Sequence, residues 1–149
     1  MGKPVREIIF GGTFDPIHLG HLVAAEQAIR GHKFKRVVFV PAGSPWMKNS
    51  NITSSFHRLN MIKLAISSNP TFVVSEVDIQ RDGPTYMIDT LFEFQKDNRD
   101  DKPCVLIGSL FSDLLPLIKR RTRGRNKCRE SLVKPLFFLK NTTPCLPKI

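Results

Sequence analysis

The stretch GGTFDPIHLGH at residues 11–21 concentrates the residue types in this chain that could do chemistry. Gly11 and Gly12 allow the backbone to turn tightly and to come close to a ligand. His18 and His21 are three residues apart, which places both imidazoles on one side of a helix that begins near this point. The free N–H groups and the dipole at the start of such a helix attract anions. Together these features favour a phosphate held between backbone amides and two imidazoles.

Two other interpretations of the histidines stay open. The same spacing suits metal ligation, but no third or fourth ligand is apparent, so we expect no metal site built from protein side chains. The histidines could instead be unrelated surface residues, since a Gly-Gly turn alone is common. The phosphate interpretation is favoured because the glycines, the hydroxyl of Thr13 and both histidines all follow one predicted strand.

Hydrophobic patterning predicts strands and helices that alternate along the chain. Apolar, β-branched runs predict four strands, at VREIIF, RVVFVPAG, TFVVSEVDI and CVLIGS. Helical patterns predict HLVAAEQAIR, a helix capped by Ser54 or Ser55, TYMIDTLFEFQKD and LFSDLLPLIKR. This order predicts an α/β domain whose mostly parallel sheet has helices on both faces. Ligands bind such sheets at the carboxyl ends of the strands, where residues 11–21 lie.

The helical patterns also predict which residues are buried. In the second helix the predicted buried face consists of Phe56, Leu59, Ile62 and Ile66. In the third helix Thr85 is the predicted N-cap, and the predicted inward residues are Ile88, Leu91 and Phe92.

The net charge of +10 is concentrated near the C-terminus. Residues 119–149 contain ten basic residues and one acid, Glu130, whereas residues 1–118 are nearly neutral. Its basic run KRRTRGRNKCRESLVK has no interleaved aromatic residues, and the chain contains no recognisable nucleic-acid-binding module, so we do not expect nucleic acid as a partner. Steeply salt-dependent binding through this segment is the alternative.

Cysteine usage and hydropathy indicate the compartment. The three cysteines are scattered and no CxxC occurs, which argues against a disulfide scaffold and a zinc finger. The first residues contain no apolar run long enough for a signal peptide, and no window suits a membrane span. We therefore expect a cytoplasmic protein that does not associate with membranes.

Several segments resemble one enzyme family. GGTFDPIHLGHL closely resembles the signature of bacterial nicotinate-nucleotide adenylyltransferases, which belong to the HxGH nucleotidyltransferase superfamily. Further segments similar to that family are VPAGSPWMKN, HRLNMIKLAI, EVDIQRDGPTYMIDTL and VLIGS. The resemblance covers residues 5 to about 120 and implies a Rossmann-like nucleotidyltransferase fold. It implies adenylyl transfer from ATP to nicotinate mononucleotide, giving deamido-NAD and pyrophosphate in NAD biosynthesis, with nicotinamide mononucleotide as the alternative acceptor.

The resemblance also implies roles for particular residues. The implied catalytic residues, which would hold and neutralise the triphosphate, are His18, His21 and Lys48. The implied nucleotide-binding residues are Gly11, Gly12, Thr13, Phe14, Gly108 and Ser109. The implied substrate-binding residues are Thr85, Tyr86, Met87 and Asp89, with the backbone N–H groups of Tyr86 and Met87 meeting the nicotinate carboxylate. Mg²⁺ would accompany ATP. Arg58 is left open, because it could either serve the site or pair with a surface acid.

The chain departs from the family pattern in several places. Thr85 and Met87 stand where the family usually has Ser and Thr, and Gly108-Ser109-Leu110 lacks the usual Asp. Nothing in residues 119–149 resembles the family's I-S-S-T-x-[IV]-R motif. We therefore expect a nucleotidyltransferase domain over residues 1–118, a basic non-matching tail over 119–149, and a fold that is incomplete after about residue 120. A nucleotide-binding member with little or no activity is the alternative, and a homo-oligomer is a further expectation.

Overall fold

The computed structural model describes residues 7–31, 34–45, 51–97, 104–107 and 134–138. Strands and helices alternate along this part of the chain. The strands are β1 (Glu7–Gly12), β2 (Arg36–Pro41), β3 (Ser44–Pro45), β4 (Phe72–Val74), β5 (Pro84–Thr85), β6 (Cys104–Ile107) and β7 (Lys134–Phe138). The helices are α1 (Leu19–Gly31), α2 (Ser55–Ile66), α3 (Val77–Gln80) and α4 (Met87–Asp97).

Five parallel strands form the main sheet in the order β4-β2-β1-β6-β7. From β1 the chain proceeds to β2 and β4 on one side, and it returns to β6 and β7 on the other side. The strand order therefore reverses between β1 and β6, and the crevice beyond their carboxyl ends is where such sheets bind ligands. A small second sheet pairs β3 with β5, also in parallel.

Alternate residues of each central strand enter two different cores, so helices cover both faces of the sheet. On one face, Ile8 and Phe10 pack with residues of α1 and α2, including Ala25 and Ile62. On the other face, Ile9, Val38, Val40 and Val105 pack with Leu91 of α4. The predicted α/β fold with a parallel sheet and two helical layers is confirmed.

The buried face of α2 differs from the prediction at Phe56, whose side chain is 65% exposed. The buried residues of α2 are Arg58, Leu59, Ile62 and Ile66. At 3.6 residues per turn, Phe56 lies about a quarter turn from the centre of the stripe that these four form. Ser54 is the N-cap, since its side chain accepts a hydrogen bond from His57 N.

The predicted strand TFVVSEVDI is wrong beyond Val74, where the sheet pairing ends and α3 begins at Val77. The N–H groups of Ile79 and Gln80 both donate to the carbonyl of Glu76, at 2.9 and 3.0 Å, and close a helical turn. This turn places the carboxylate of Asp78 in a buried cluster with Thr90, a tertiary contact that outweighs the local strand preference.

The predicted N-cap of α4 is also wrong. Thr85 lies in β5, and its hydroxyl accepts hydrogen bonds from the backbone N–H groups of Gly43 and Ser44 rather than from α4. Leu91 is buried as predicted, whereas Ile88 and Phe92 are only partly buried and Thr90 is fully buried.

Most of the region after residue 107 is outside the described residues, including the predicted helix LFSDLLPLIKR. Lys134–Phe138 is the exception, because it adds β7 in parallel beside β6. The predicted boundary at residue 118 stays a prediction. Among the described helices, none combines the length and the apolar character that crossing a membrane requires.

Candidate functional site

The segment after β1 turns at Phe14 rather than at the two glycines. Gly11 and Gly12 continue β1 and pair with Val40 and Pro41 of β2. Phe14 has a φ of 50°, a left-handed conformation that is uncommon for a bulky residue. Its ring is buried against Phe10, with 5.4 Å between ring centroids. Packing therefore holds this turn in an otherwise unfavourable conformation.

The two glycines make room for side chains of the protein itself. A Cβ on Gly11 would overlap the terminal methyl group of Met87, and one on Gly12 would lie 3.2 Å from the Phe14 ring. Close approach of a ligand is the predicted reason for glycine at these two positions. Contact with Met87 and Phe14 is a second reason, which the sequence pattern did not indicate. Because Met87 opens α4, its contact with Gly11 brings the predicted substrate segment to the carboxyl end of β1.

His18 and His21 lie side by side where α1 begins. Their ring centroids are 3.8 Å apart, and the backbone N–H of His18 donates to Nδ1 of His21 at 3.2 Å. Because Nδ1 is the acceptor, the neutral His21 ring has its proton on Nε2 and can donate from that nitrogen. The His21 ring also packs edge-on against Phe14, with centroids 5.0 Å apart.

Burial lowers the pKa of His21 below its ordinary value of 6.5, and the neighbouring His18 lowers it further. Both effects disfavour the imidazolium in the ligand-free protein. A phosphate anion beside the ring would oppose them, because an opposite charge nearby stabilises the protonated form. His21 is therefore suited to accept charge when a polyanion binds.

Arg58 lies on the buried face of α2, and its guanidinium connects three backbone segments. It donates to the carbonyl oxygens of Thr53 at 2.8 Å, Thr13 at 2.7 Å, Ala42 at 2.7 Å and Gly43 at 3.2 Å. Burial lowers its pKa, and the nearby Asp15 carboxylate opposes that shift, but a guanidinium remains protonated at neutral pH. Its place on the apolar stripe with Leu59 was the sequence signal that could have identified it.

Thr85 connects the predicted substrate segment to the strand end of β2. Its Oγ1 accepts hydrogen bonds from Gly43 N at 3.1 Å and from Ser44 N at 3.2 Å. Tyr86 follows directly, and its carbonyl accepts from the N–H groups of Asp89 and Thr90 in the first turn of α4. Asp89 itself is exposed. The structure therefore brings Thr85, Tyr86 and Met87 to the end of the sheet where the histidines lie.

A buried cluster below this segment fixes α3 against α4. Both carboxylate oxygens of Asp78 lie 2.7 Å from Thr90 Oγ1, and Oδ1 accepts from Arg81 Nη1 at 2.9 Å. Burial raises the pKa of Asp78, while the hydrogen bond from Thr90 and the charge of Arg81 act in the opposite direction. This cluster supports the substrate segment from its buried side.

Three predicted site residues, Lys48, Gly108 and Ser109, lie outside the described residues. For Thr13, the structure shows a carbonyl bonded to Arg58, while the predicted role of its hydroxyl stays a prediction.

Among the described residues of the site, the side chains do not form a protein-built Mg²⁺ site. Within the ranges that the structure describes, no three His, Cys, Asp or Glu side chains lie together in a way that could hold a metal ion. Two imidazoles are poor ligands for Mg²⁺, which prefers oxygen donors and usually keeps several waters. The residues present are compatible with Mg²⁺ that arrives bound to the phosphates of a nucleotide.

The parallel sheet, its strand order and the helices on both faces define a Rossmann-like fold. The structure of Plasmodium falciparum nicotinic acid mononucleotide adenylyltransferase complexed with NaAD shares this fold, with a TM-score of 0.61 at 19% identity. That match covers 71% of this chain and 53% of the other. A family model described as Cytidylyltransferase-like matches residues 9–136, so the chain belongs to the cytidylyltransferase-like family. The match extends past residue 118 and ends within β7.

Curated relatives match a large part of the chain. A protein of Leifsonia xyli subsp. xyli named "Probable nicotinate-nucleotide adenylyltransferase" is 50% identical over 101 residues, which are 68% of this chain and 50% of the relative. A Mycobacterium bovis protein of the same name is 53% identical over 83 residues, or 56% of this chain and 39% of the relative. The chain thus spans half or less of the length of these relatives.

Proposed function

We propose that the protein transfers the adenylyl group of ATP to nicotinate mononucleotide, with deamido-NAD and pyrophosphate as products. The observation that supports this most strongly is the stacked His18–His21 pair at the start of α1, beside the carboxyl end of β1. The names of relatives with 50% and 53% identity support the same reaction.

In this reaction the phosphate oxygen of the mononucleotide attacks the α-phosphorus of ATP. A new P–O bond forms, the bond to the bridging oxygen breaks, and pyrophosphate leaves with that electron pair. No protein nucleophile takes part, so the protein contributes position and charge stabilisation. Mg²⁺ bound to the triphosphate would supply further neutralisation of the phosphate oxygens.

The histidines are the side chains that we assign to the triphosphate. The Nε2–H of His21 is available to donate because Nδ1 is held by the backbone of His18. A phosphate that restores the positive charge on this ring gains an ionic hydrogen bond, which is stronger than a neutral one. Protonation then replaces the hydrogen bond from His18 N–H, because a protonated Nδ1 can no longer accept. As negative charge moves onto the leaving pyrophosphate, this interaction strengthens and lowers the barrier.

The acceptor is assigned to the segment that Thr85 fixes against Gly43. We propose that the backbone N–H groups of Tyr86 and Met87 receive the nicotinate carboxylate. This would favour the acid over the amide, because only the acid presents a negative charge there. Cytoplasmic location, the absence of nucleic-acid and membrane partners, and a homo-oligomeric state remain predictions.

The test is pyrophosphate release by the 149-residue chain with Mg-ATP and nicotinate mononucleotide, compared with nicotinamide mononucleotide. His21→Ala should lower the rate by about 10²–10³, the range for removing one preorganised charge-stabilising donor. His57→Ala is the matched control, because this exposed histidine lies on α2 and its ring contacts Phe56. Equal rates in the two variants would contradict the assignment of the histidines.

A nucleotide-binding member without activity is the second candidate, favoured by Gly108-Ser109-Leu110, where the resembling family has an Asp. It predicts that folded wild-type protein binds ATP and releases no pyrophosphate.

A further inference from the structure

The candidate site has two halves: the triphosphate half contains His18 and His21, and the mononucleotide half contains residues 85–87. Arg58 connects the backbone segments next to these two halves. Its Nη1 donates to the carbonyl of Thr13, in the segment that leads from β1 to the histidines. Its Nη2 donates to the carbonyls of Ala42 and Gly43, in the segment that follows β2. The last backbone hydrogen bond between these two segments runs from Ala42 N–H to the Gly12 carbonyl at 2.8 Å. One planar guanidinium fixes the two segments relative to each other just beyond that bond, because its donor directions are rigid.

The second of these segments is bonded on its other side to the acceptor half of the site. The N–H of Gly43 donates to Thr85 Oγ1, while the carbonyl of Gly43 accepts from Arg58. A continuous chain of hydrogen bonds therefore runs from Thr13, through Arg58 and Gly43, to Thr85. At one end, Thr13 lies in the segment that leads to His18 and His21. At the other end, Thr85 directly precedes Tyr86.

The start of α2 holds the first segment by a second link. Asp15 accepts a hydrogen bond from the N–H of Thr53 at 2.9 Å, and Arg58 Nε donates to the carbonyl of the same Thr53 at 2.8 Å. The segment between β1 and α1 is therefore held by hydrogen bonds at Thr13 and at Asp15. The donors of these bonds are Arg58, in the first turn of α2, and Thr53, the residue before the N-cap.

Docking α2 onto the sheet does not by itself require a charge at position 58. The side chain is 1% exposed, and its neighbours on the buried face, Leu59 and Ile62, supply apolar contacts. Burying an ion is costly, and well-packed apolar replacements are often as stable or more stable. What an apolar side chain could not do is fix four carbonyl groups in defined directions.

We propose that Arg58 is a positioning residue that fixes the distance between the triphosphate half and the mononucleotide half of the site. This inference rests on the proposed function. Without Arg58, Mg-ATP alone or nicotinate mononucleotide alone would meet nearly unchanged contacts. Deamido-NAD, which spans both halves, would meet two subsites at the wrong separation. The rate of transfer then falls, because in-line attack requires both reactants at a set distance.

The test compares Arg58→Lys with wild type for turnover and for binding of Mg-ATP, nicotinate mononucleotide and deamido-NAD. A displacement of the order of 1 Å costs about 10²-fold in rate, so we expect kcat to fall by about 10- to 100-fold. Both KM values and both single-ligand affinities should stay within about threefold, a small change on the scale of tenfold per 1.4 kcal/mol. Affinity for deamido-NAD should fall by more than the product of the two single-ligand changes.

The control is Lys63→Met, which removes a positive charge from the same helix at an exposed pair with Glu76 and should behave like wild type. Thr85→Val breaks the same chain of hydrogen bonds at its other end and keeps the side-chain shape. In this variant too, kcat should fall while both KM values stay nearly unchanged. If Arg58→Lys does not fold, Thr85→Val provides the test in its place.

Unchanged turnover in Arg58→Lys, or equal losses for single and spanning ligands, would overturn the positioning role while leaving the proposed function intact. If Arg58→Lys does not fold, unchanged turnover in Thr85→Val would overturn it in the same way. A wild-type protein that neither releases pyrophosphate nor binds deamido-NAD would overturn the proposed function, and this inference with it.

Discussion

Replacing Gly43 with alanine is expected to destabilise the protein more than the same replacement at Gly11 or Gly83. The added Cβ would overlap the carbonyl oxygen of Asp78 and lie 3.2 Å from both the carbonyl carbon of Asp78 and the Cα of Ile79. All three atoms are backbone, so no side-chain rotation relieves the contact. The turn of α3 would have to move by about 1 Å to restore ordinary van der Waals distances.

That movement is opposed by the contacts that hold α3 in place. Asp78 accepts a hydrogen bond from Thr90 of α4, so α3 moves only if this bond lengthens or α4 follows. Overpacking costs about 1–3 kcal/mol, and a clash with fixed backbone belongs at the upper end, about 2–3 kcal/mol. For a chain of this size that corresponds to a fall in Tm of roughly 5–10 °C.

Two other glycines provide matched controls. In Gly11→Ala the clash is with the flexible end of Met87, which can rotate away, so we expect a loss of about 1 kcal/mol or less. Gly83 has a φ of 85° and no atom within 4 Å of an added Cβ, so Gly83→Ala introduces backbone strain alone, about 1–2 kcal/mol.

The assay is thermal and urea unfolding of the three variants, followed by far-UV circular dichroism. The expected order of destabilisation is Gly43→Ala, then Gly83→Ala, then Gly11→Ala, with unchanged urea m-values. A Gly43→Ala protein with the Tm of wild type, or one less affected than Gly11→Ala, would refute the inferred close packing of this loop on α3.

Three further predictions concern Asp78, His21 and α2. Burial raises the pKa of Asp78 above its ordinary value of 3.8, so the stabilisation from protonated Asp78 is complete below that pH and is lost as the pH rises through the folded-state pKa. As the pH rises from 3.8 towards neutral, the free energy of unfolding of wild type, measured with urea, should therefore fall relative to that of Asp78→Asn. A difference that stays constant with pH would contradict this. Because burial disfavours the His21 imidazolium and a polyphosphate favours it, Mg-ATP affinity measured by calorimetry should increase as the pH falls through 6.5, and by more in wild type than in His21→Ala. The titration of the triphosphate itself is common to both proteins, and equal pH dependence would count against the proposed contact. Leu59→Ala should cost about 2–5 kcal/mol in chemical unfolding and Phe56→Ser about 0.5 kcal/mol or less, since Leu59 is 6% exposed and Phe56 is 65% exposed; the reverse order would show that the face of α2 is misassigned.

The parts of the fold that could be predicted from sequence are those specified by short-range patterns. β1, β2 and β6 are continuous apolar, β-branched runs, as expected for strands buried on both faces. The histidine pair was also accessible, because residues three apart at a helix start meet whatever the rest of the chain does.

What the sequence pattern could not show depends on contacts between distant residues. Arg58 reaches a carbonyl 45 residues away at Thr13, and Thr85 meets an N–H 42 residues away at Gly43. Local sequence preferences do not specify such long-range pairs. The sequence pattern therefore predicted Thr85 as a helix N-cap and left the role of Arg58 open. Asp78 shows the same effect, because its buried bond to Thr90 favours a helical turn where alternation predicted a strand.

Contact between the triphosphate and the pair His18 and His21 can be observed directly by NMR of the protein labelled with ¹⁵N-histidine. Side-chain signals are assigned with the corresponding alanine variants and followed during titration with Mg-ATP, while calorimetry on the same sample confirms binding. We expect the ring signals of His18 and His21 to shift in saturable fashion with one common affinity, and those of His57 to stay unchanged. Bound Mg-ATP that leaves both histidines of the pair unperturbed, or that shifts His57 instead, would contradict this expectation.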